Sequence, residues 1–251
     1  AYAAPFVNFG SLVRAAWLWT LLLIPVLLAI SWFLAPVYAA LGDLSKADLN
    51  ASTPVEFQLL SILLQLVMLP AVASIAVAWH RLILNRERPS GVYLRFDRSV
   101  GLYAAFLIAV QLLLIALVNL PEVIASLRGT SLPWWVGALA FVLVIAVAFI
   151  FGRLSLVLPP IALGRTDIGL GDAWRATQGN TWRLFWGPIV CLILLVLPAV
   201  MVFIVAGAGR TTTTVALTVM DLLTILAGVI GVGFLSFAYQ HFFEGGDRRA
   251  D

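Results

Sequence analysis

Six apolar runs occupy most of this chain, at residues 15–41, 57–79, 100–120, 134–151, 184–205 and 218–237. A helix rises 1.5 Å per residue, so crossing the ~30 Å hydrocarbon core of a bilayer takes roughly 20 residues, and each run is near that length. Backbone N–H and C=O groups in lipid must be satisfied inside a helix or a closed barrel. Barrel strands would alternate in pieces of roughly ten residues, whereas these runs are continuous. The chain is therefore expected to be all-α: one transmembrane domain over residues 1–251, with six spans paired as three helical hairpins.

Water is excluded as the surrounding medium on composition. With 63 % apolar and 11 % charged residues and a mean hydropathy of +1.06, a soluble domain would lack the polar surface it needs. The basic residues then set an orientation. Arg14, the Arg81–Arg98 group, Arg153, Arg165, Arg175, Arg183, Arg248 and Arg249 place 12 cations on one side, against Lys46, Arg128 and Arg210, 3 cations, on the other. Alternation of this bias through six spans is expected to put both termini in the cytoplasm.

The net charge of +3 and pI near 9.4 do not call for nucleic acid. The arginines follow the membrane-topology bias, and anionic lipid head groups are their expected partners, at ~1 kcal/mol per residue near the surface. Cys191, the single cysteine, has no disulfide partner and no ligand-spaced neighbour. The first run is too long for a signal-peptide core, so an uncleaved anchor is expected.

Local motifs refine this reading. Ser11, Asp97 and Asn180 are expected to cap the helices that enter from the basic side, each just ahead of an arginine. Residues 169–178 carry Leu170, Ala173, Trp174 and Thr177 at helical spacing between two glycines, the pattern of a short amphipathic helix lying in the interface between spans four and five. Trp174, Trp182 and Trp186 fall at head-group depth.

Ionisable groups inside the membrane are costly and hence functional candidates. The fourth run continues, apart from Arg153 and Ser155, from Leu132 to Gly164, too far for one upright helix. Either the span ends near Arg153, which then snorkels to phosphates, or it breaks at Pro159-Pro160 and Arg153 faces the bundle, binding a head group or tying down the loop 164–172. The broken helix is preferred. Asp221 reads as the N3 carboxylate of a capping box begun by Thr218. Gln65 and Gln111 read as interhelical hydrogen-bonding residues, and Gly228, Gly231, Gly233, Ala148 and Gly152 as packing faces.

His80 and His241 share one depth but lack a third ligand, so no metal and no cofactor is expected. No nucleophile elbow, zincin, Walker or dinucleotide motif is present in the sequence. The contact candidates for lipid or a partner are His80, Arg81, Arg153, Arg165, Trp174, Arg175, Trp182 and Arg183.

Residues 153–159 (RLSLVLP), 169–177 (GLGDAWRAT) and 179–185 (GNTWRLF), with 79–84 (WHRLIL), Glu87 and Pro89, resemble a group of six-helix bacterial proteins. That group is similar to the membrane domain attached to some glycerophosphodiester phosphodiesterases. The resemblance implies the same topology and an inner-membrane location, but no phosphodiesterase activity, because the catalytic barrel of those enzymes is a separate soluble domain. The expected function is a non-enzymatic accessory, assembly or scaffold subunit that contacts lipids, a larger membrane complex or a second copy. The alternative is a carrier or channel for a lipid or other amphiphile.

Overall fold

The apolar runs fold as helices that extend past them. The computed structural model describes residues 7–42, 55–89, 95–128, 133–190 and 210–245. Four long helices come first: α1 (Phe9–Gly42), α2 (Val55–Asn85), α3 (Arg98–Arg128) and α4 (Trp134–Leu154). A 3₁₀ turn, Ser155–Val157, leads into α5 (Leu158–Ala162), followed by α6 (Leu170–Ala176), α7 over residues 181–190 and α8 (Arg210–Tyr239), which ends in a π-helical turn, Gln240–Glu244. All regular structure among the described residues is helical.

Five segments are long and apolar enough to cross a bilayer: Phe9–Pro36, Ile62–Asn85, Arg98–Val118, Trp134–Ala162 and Thr211–Glu244. By length and composition this is a multi-pass membrane protein. The expected span at 184–205 lies outside the described residues from position 191 on, as do Cys191 and Pro198.

Several local expectations are corrected. Ser11 is not a cap: α1 starts earlier, and the Asn8 carbonyl accepts the N–H groups of Ser11 and Leu12 at 2.9 and 3.0 Å. Thr218 is likewise no cap, because α8 begins at Arg210 and Thr218 sits inside it, donating its hydroxyl to the Thr214 carbonyl at 3.0 Å. Threonine hydroxyls bonded back one turn let a polar stretch stay helical in an apolar medium. Helices α1, α2 and α3 run on through Pro25, Pro36, Pro70 and Pro121. Neighbouring helices and small backbone adjustments accommodate them. The expected break at Pro159-Pro160 is absent: residues 134–162 keep one helical path that tightens into the 3₁₀ turn Ser155–Val157, and Pro159 and Pro160 sit in the first turn of α5, where a missing N–H costs nothing.

Packing centres on α2, which touches α1, α3 and α8; α8 also lies along α1, and α4 against α3. The core gathers Trp19, Leu23 and Leu27 from α1, Ile75 and Trp79 from α2, Tyr103 from α3, Leu158 from α5 and Val229 from α8. By contrast α4 contributes no buried residue, and Trp134, Phe141 and Val142 point outward. An apolar face of that size is a liability in water and is the expected surface in lipid.

Contacts bring the end of α2, the start of α3, the end of α5 and the end of α8 together at one end of the bundle, called here the basic end. The start of α1 joins them, with Ala15 against Ala78. Helix α7 enters this end closely. A Cβ at Gly187 would lie 2.2 Å from the Phe234 ring of α8. Gly187→Ala is expected to cost about 1–3 kcal/mol through overpacking. Detergent unfolding of Gly187→Ala and of Gly187→Ala with Phe234→Leu checks this: the second change should recover most of the loss.

Candidate functional site

A helix that ends inside a membrane protein leaves carbonyls that need donors. At the end of α5, Gly164 takes φ +73°, a left-handed conformation suited to glycine. Its N–H reaches the Ile161 carbonyl at 3.0 Å, and the Arg165 N–H reaches Pro160 at 2.9 Å, the paired bonds of a Schellman motif. The carbonyl of Ala162 is left over. Arg81 fills it from α2, with Nε donating at 2.8 Å. Its Nη2 donates to Asp97 Oδ2 at 3.0 Å. Asp97 caps α3 as expected, its Oδ1 accepting the Val100 N–H at 3.0 Å. Burial opposes charge on Asp97, but the Val100 N–H and the Arg81 guanidinium together hold its carboxyl below the usual range. One guanidinium thus joins α2, α3 and α5.

Arg153 repeats the device at the end of α6. Its Nε donates to Thr177 Oγ1 at 2.9 Å, its Nη2 to the Trp174 carbonyl, and its Cζ lies 3.5 Å from the centre of the Trp174 ring. Thr177, fully buried, donates back to Ala173 at 2.9 Å. A cation at a helix C-terminus meets both the orphan carbonyls and the negative end of the dipole. Arg153 therefore faces protein, fastening α6 just beyond the 164–172 loop.

The short helix expected within 169–178 forms as α6, Leu170–Ala176. Asp172 Oδ2 accepts the Gly169 N–H at 2.9 Å, and its Oδ1 accepts from Arg175 at 2.6 Å, which lowers the carboxyl's pKa. Its apolar stripe divides in two. Ala173 and Thr177 are buried against the protein, while Leu170 and Trp174 are open, as are Trp182 and Trp186 on α7. Trp182 and Phe185 pack on Phe149 of α4, with ring centroids at 4.9 and 4.0 Å.

The candidates separate into two classes. Arg165, Trp174, Arg175, Trp182 and Arg183 are each exposed, ahead of or on α6 and at the start of α7. Arg165 also donates to Tyr239 Oη at 3.1 Å. Arg81 and Arg153 are half-buried links. His80, expected on a contact surface, is instead fully buried. Sequence reasoning missed its partners. Ser236 donates to the Val232 carbonyl at 3.0 Å, so Ser236 Oγ accepts from His80 Nδ1–H at 2.8 Å, which leaves Nε2 to accept the Tyr103 hydroxyl at 3.3 Å. The chain of bonds is complete with a neutral imidazole. His241 is exposed beside Phe242 and does not converge with it. Asp221 lies within α8, with its side chain outside the described residues.

Beyond the His80 bonds the same seam opens into a groove of 390 Å³ among α2, α3 and α8. Gly228 lines it, and a Cβ there would meet nothing within 4 Å. The same holds for Gly231, so neither glycine serves close helix approach among the described residues; Gly152 does, 3.6 Å from the Leu184 carbonyl oxygen. No family model, curated protein or solved structure matches this chain.

Proposed function

We propose that this chain is a non-enzymatic bacterial inner-membrane protein, threaded six times with both termini in the cytoplasm, whose basic end binds anionic lipid head groups. In this reading it serves as an accessory or scaffold subunit of a larger membrane assembly. The carrying observation is the open surface of Leu170, Trp174, Trp182 and Trp186 beside exposed Arg165, Arg175 and Arg183. Aromatic side chains favour head-group depth, and guanidinium groups beside them meet phosphates there in paired hydrogen bonds. Arg81 and Arg153, both committed inside the protein, position this surface without belonging to it. The resemblance over residues 79–185 to six-helix bacterial membrane domains supports the same threading.

Reconstitution into nanodiscs tests the proposal. Thermal stability is expected to rise with the fraction of phosphatidylglycerol in a phosphatidylcholine background. The combined variant Arg165→Gln, Arg175→Gln, Arg183→Gln should lose most of that rise while keeping the helix content and stability found in pure phosphatidylcholine. An unchanged response in the variant would overturn the assignment.

The groove favours a second reading, a carrier for a lipid or other amphiphile. Carriers hold their cargo near the midplane, and the groove runs across the middle of the α2 span.

A further inference from the structure

We infer that the groove among α2, α3 and α8 holds one acyl chain of a membrane lipid. This goes beyond head-group binding; it shares its site with the carrier reading but requires no transport.

Two helices present ladders toward one axis, and a third touches it with one residue. On α2 the ladder descends from Leu64 through Met68 and Val72 to Ala76, on α8 from Thr224 through Gly228 to Val232, and Gln111 faces the axis from α3. Helical rise makes the α2 wall about 18 Å long. That is close to the depth of one leaflet's tails, about 15 Å of the hydrocarbon core. At the basic end the seam is closed by the Tyr103–His80–Ser236 bonds and by buried Leu158, one turn beyond Ala76 and Val232.

Size and polarity decide the occupant. Spread along a wall of about 18 Å, the 390 Å³ of the groove makes it narrower than the roughly 10 Å width of a helix. A second copy could lay only side chains into it. Water needs two to four polar partners. Gln111 and Thr224 bring the polar atoms, and the Thr224 hydroxyl already donates to the Met220 carbonyl at 2.9 Å. A thin apolar rod fits what remains. The groove is also continuous with surface that lipid must cover, since Leu63 and Val67 lie exposed on α2 beside Leu64 and Met68. Gly228 has the role of keeping the channel wide. Nothing protein-made stands within 4 Å of where its side chain would be.

The test is photo-crosslinking in nanodiscs with phosphatidylcholine carrying a diazirine near the end of one acyl chain, mapped by mass spectrometry. Adducts are expected on residues 64–76 and 224–232 in several-fold excess over those on residues 134–154 of lipid-facing α4. Gly228→Phe should cut the groove adducts several-fold with no fall in melting temperature, because the ring enters open space. The combined Arg165, Arg175, Arg183 variant should leave them unchanged, which separates this inference from the head-group reading. Adducts spread evenly over α2, α4 and α8 in the wild-type protein would overturn the inference without recourse to any variant. So would a destabilised Gly228→Phe with undiminished adducts, the outcome if residues 191–209 or a second copy fill the groove.

Discussion

Replacing Arg81 by methionine is expected to destabilise the protein by about 2 kcal/mol, chiefly the scale of leaving a buried carbonyl without its donor. The side chain is 12 % exposed and its partner Asp97 38 %. Asp97 can rehydrate when abandoned, but the Ala162 carbonyl cannot, because Ala162 is fully buried and the Schellman bonds are already spent on its neighbours. An unsatisfied buried carbonyl carries a penalty of about 1–3 kcal/mol by itself. Lysine should not restore the loss, since an ammonium cannot span carbonyl and carboxylate in the planar fork geometry. Unfolding in mixed SDS micelles measures both. The contribution also has a pH signature. Because the folded carboxyl of Asp97 sits below its ordinary value, the stabilisation is fully present above the unfolded pKa, about 4, and is lost as pH falls through the lowered folded value. The difference between wild type and Asp97→Asn should therefore shrink only in acid.

The second large effect is expected at Arg153. Arg153→Leu keeps the apolar stem but removes the donors to Thr177 and to the Trp174 carbonyl, together with the contact over the indole ring. Two charge-assisted hydrogen bonds of this kind are worth about 2–4 kcal/mol. The loss should be local. Helix α6 has seven residues, too few to persist alone, so it should detach and free the backbone after Arg175, whose side chain is already exposed, for cleavage by trypsin while the long helices stay folded. Thr177→Val is expected to give a smaller effect of the same kind, because the Trp174 carbonyl keeps its guanidinium. Cleavage rates indistinguishable from wild type in Arg153→Leu would show that α6 is held by something else.

These two arginines mark where sequence reading succeeds and where it stops. Run length and continuity made five spans legible, because the requirement for ~20 apolar residues is set by the bilayer and needs no tertiary knowledge. Asp97 was legible as a cap and residues 169–178 as holding a short helix, both from local spacing. An irregularity near Pro159-Pro160 was legible from the missing N–H groups, but the chain stays helical there through a 3₁₀ turn. Links across the fold were not legible. Ser236 lies 156 positions from His80, and a histidine at the end of an apolar run looks the same whether it faces lipid or three packed helices. The pairing of Arg81 with Ala162 depends on which carbonyl the end of α5 leaves over. The start of α8 was missed because the threonines at 211–214 look like a loop in the sequence, whereas they form the first turn of the helix. The groove had one weak signal, Gly228 beside Thr224, which spacing alone assigns to packing.

The central claim, that apolar helices cross the inner membrane with the arginine-rich end in the cytosol, is tested most directly by labelling a cysteine placed at the exposed position 88. In Arg88→Cys with Cys191→Ser, a membrane-impermeant maleimide should react in inverted vesicles and not in sealed right-side-out ones. Reaction in sealed right-side-out vesicles would contradict the orientation, and recovery of the protein as a detergent-free soluble particle would contradict the membrane assignment itself.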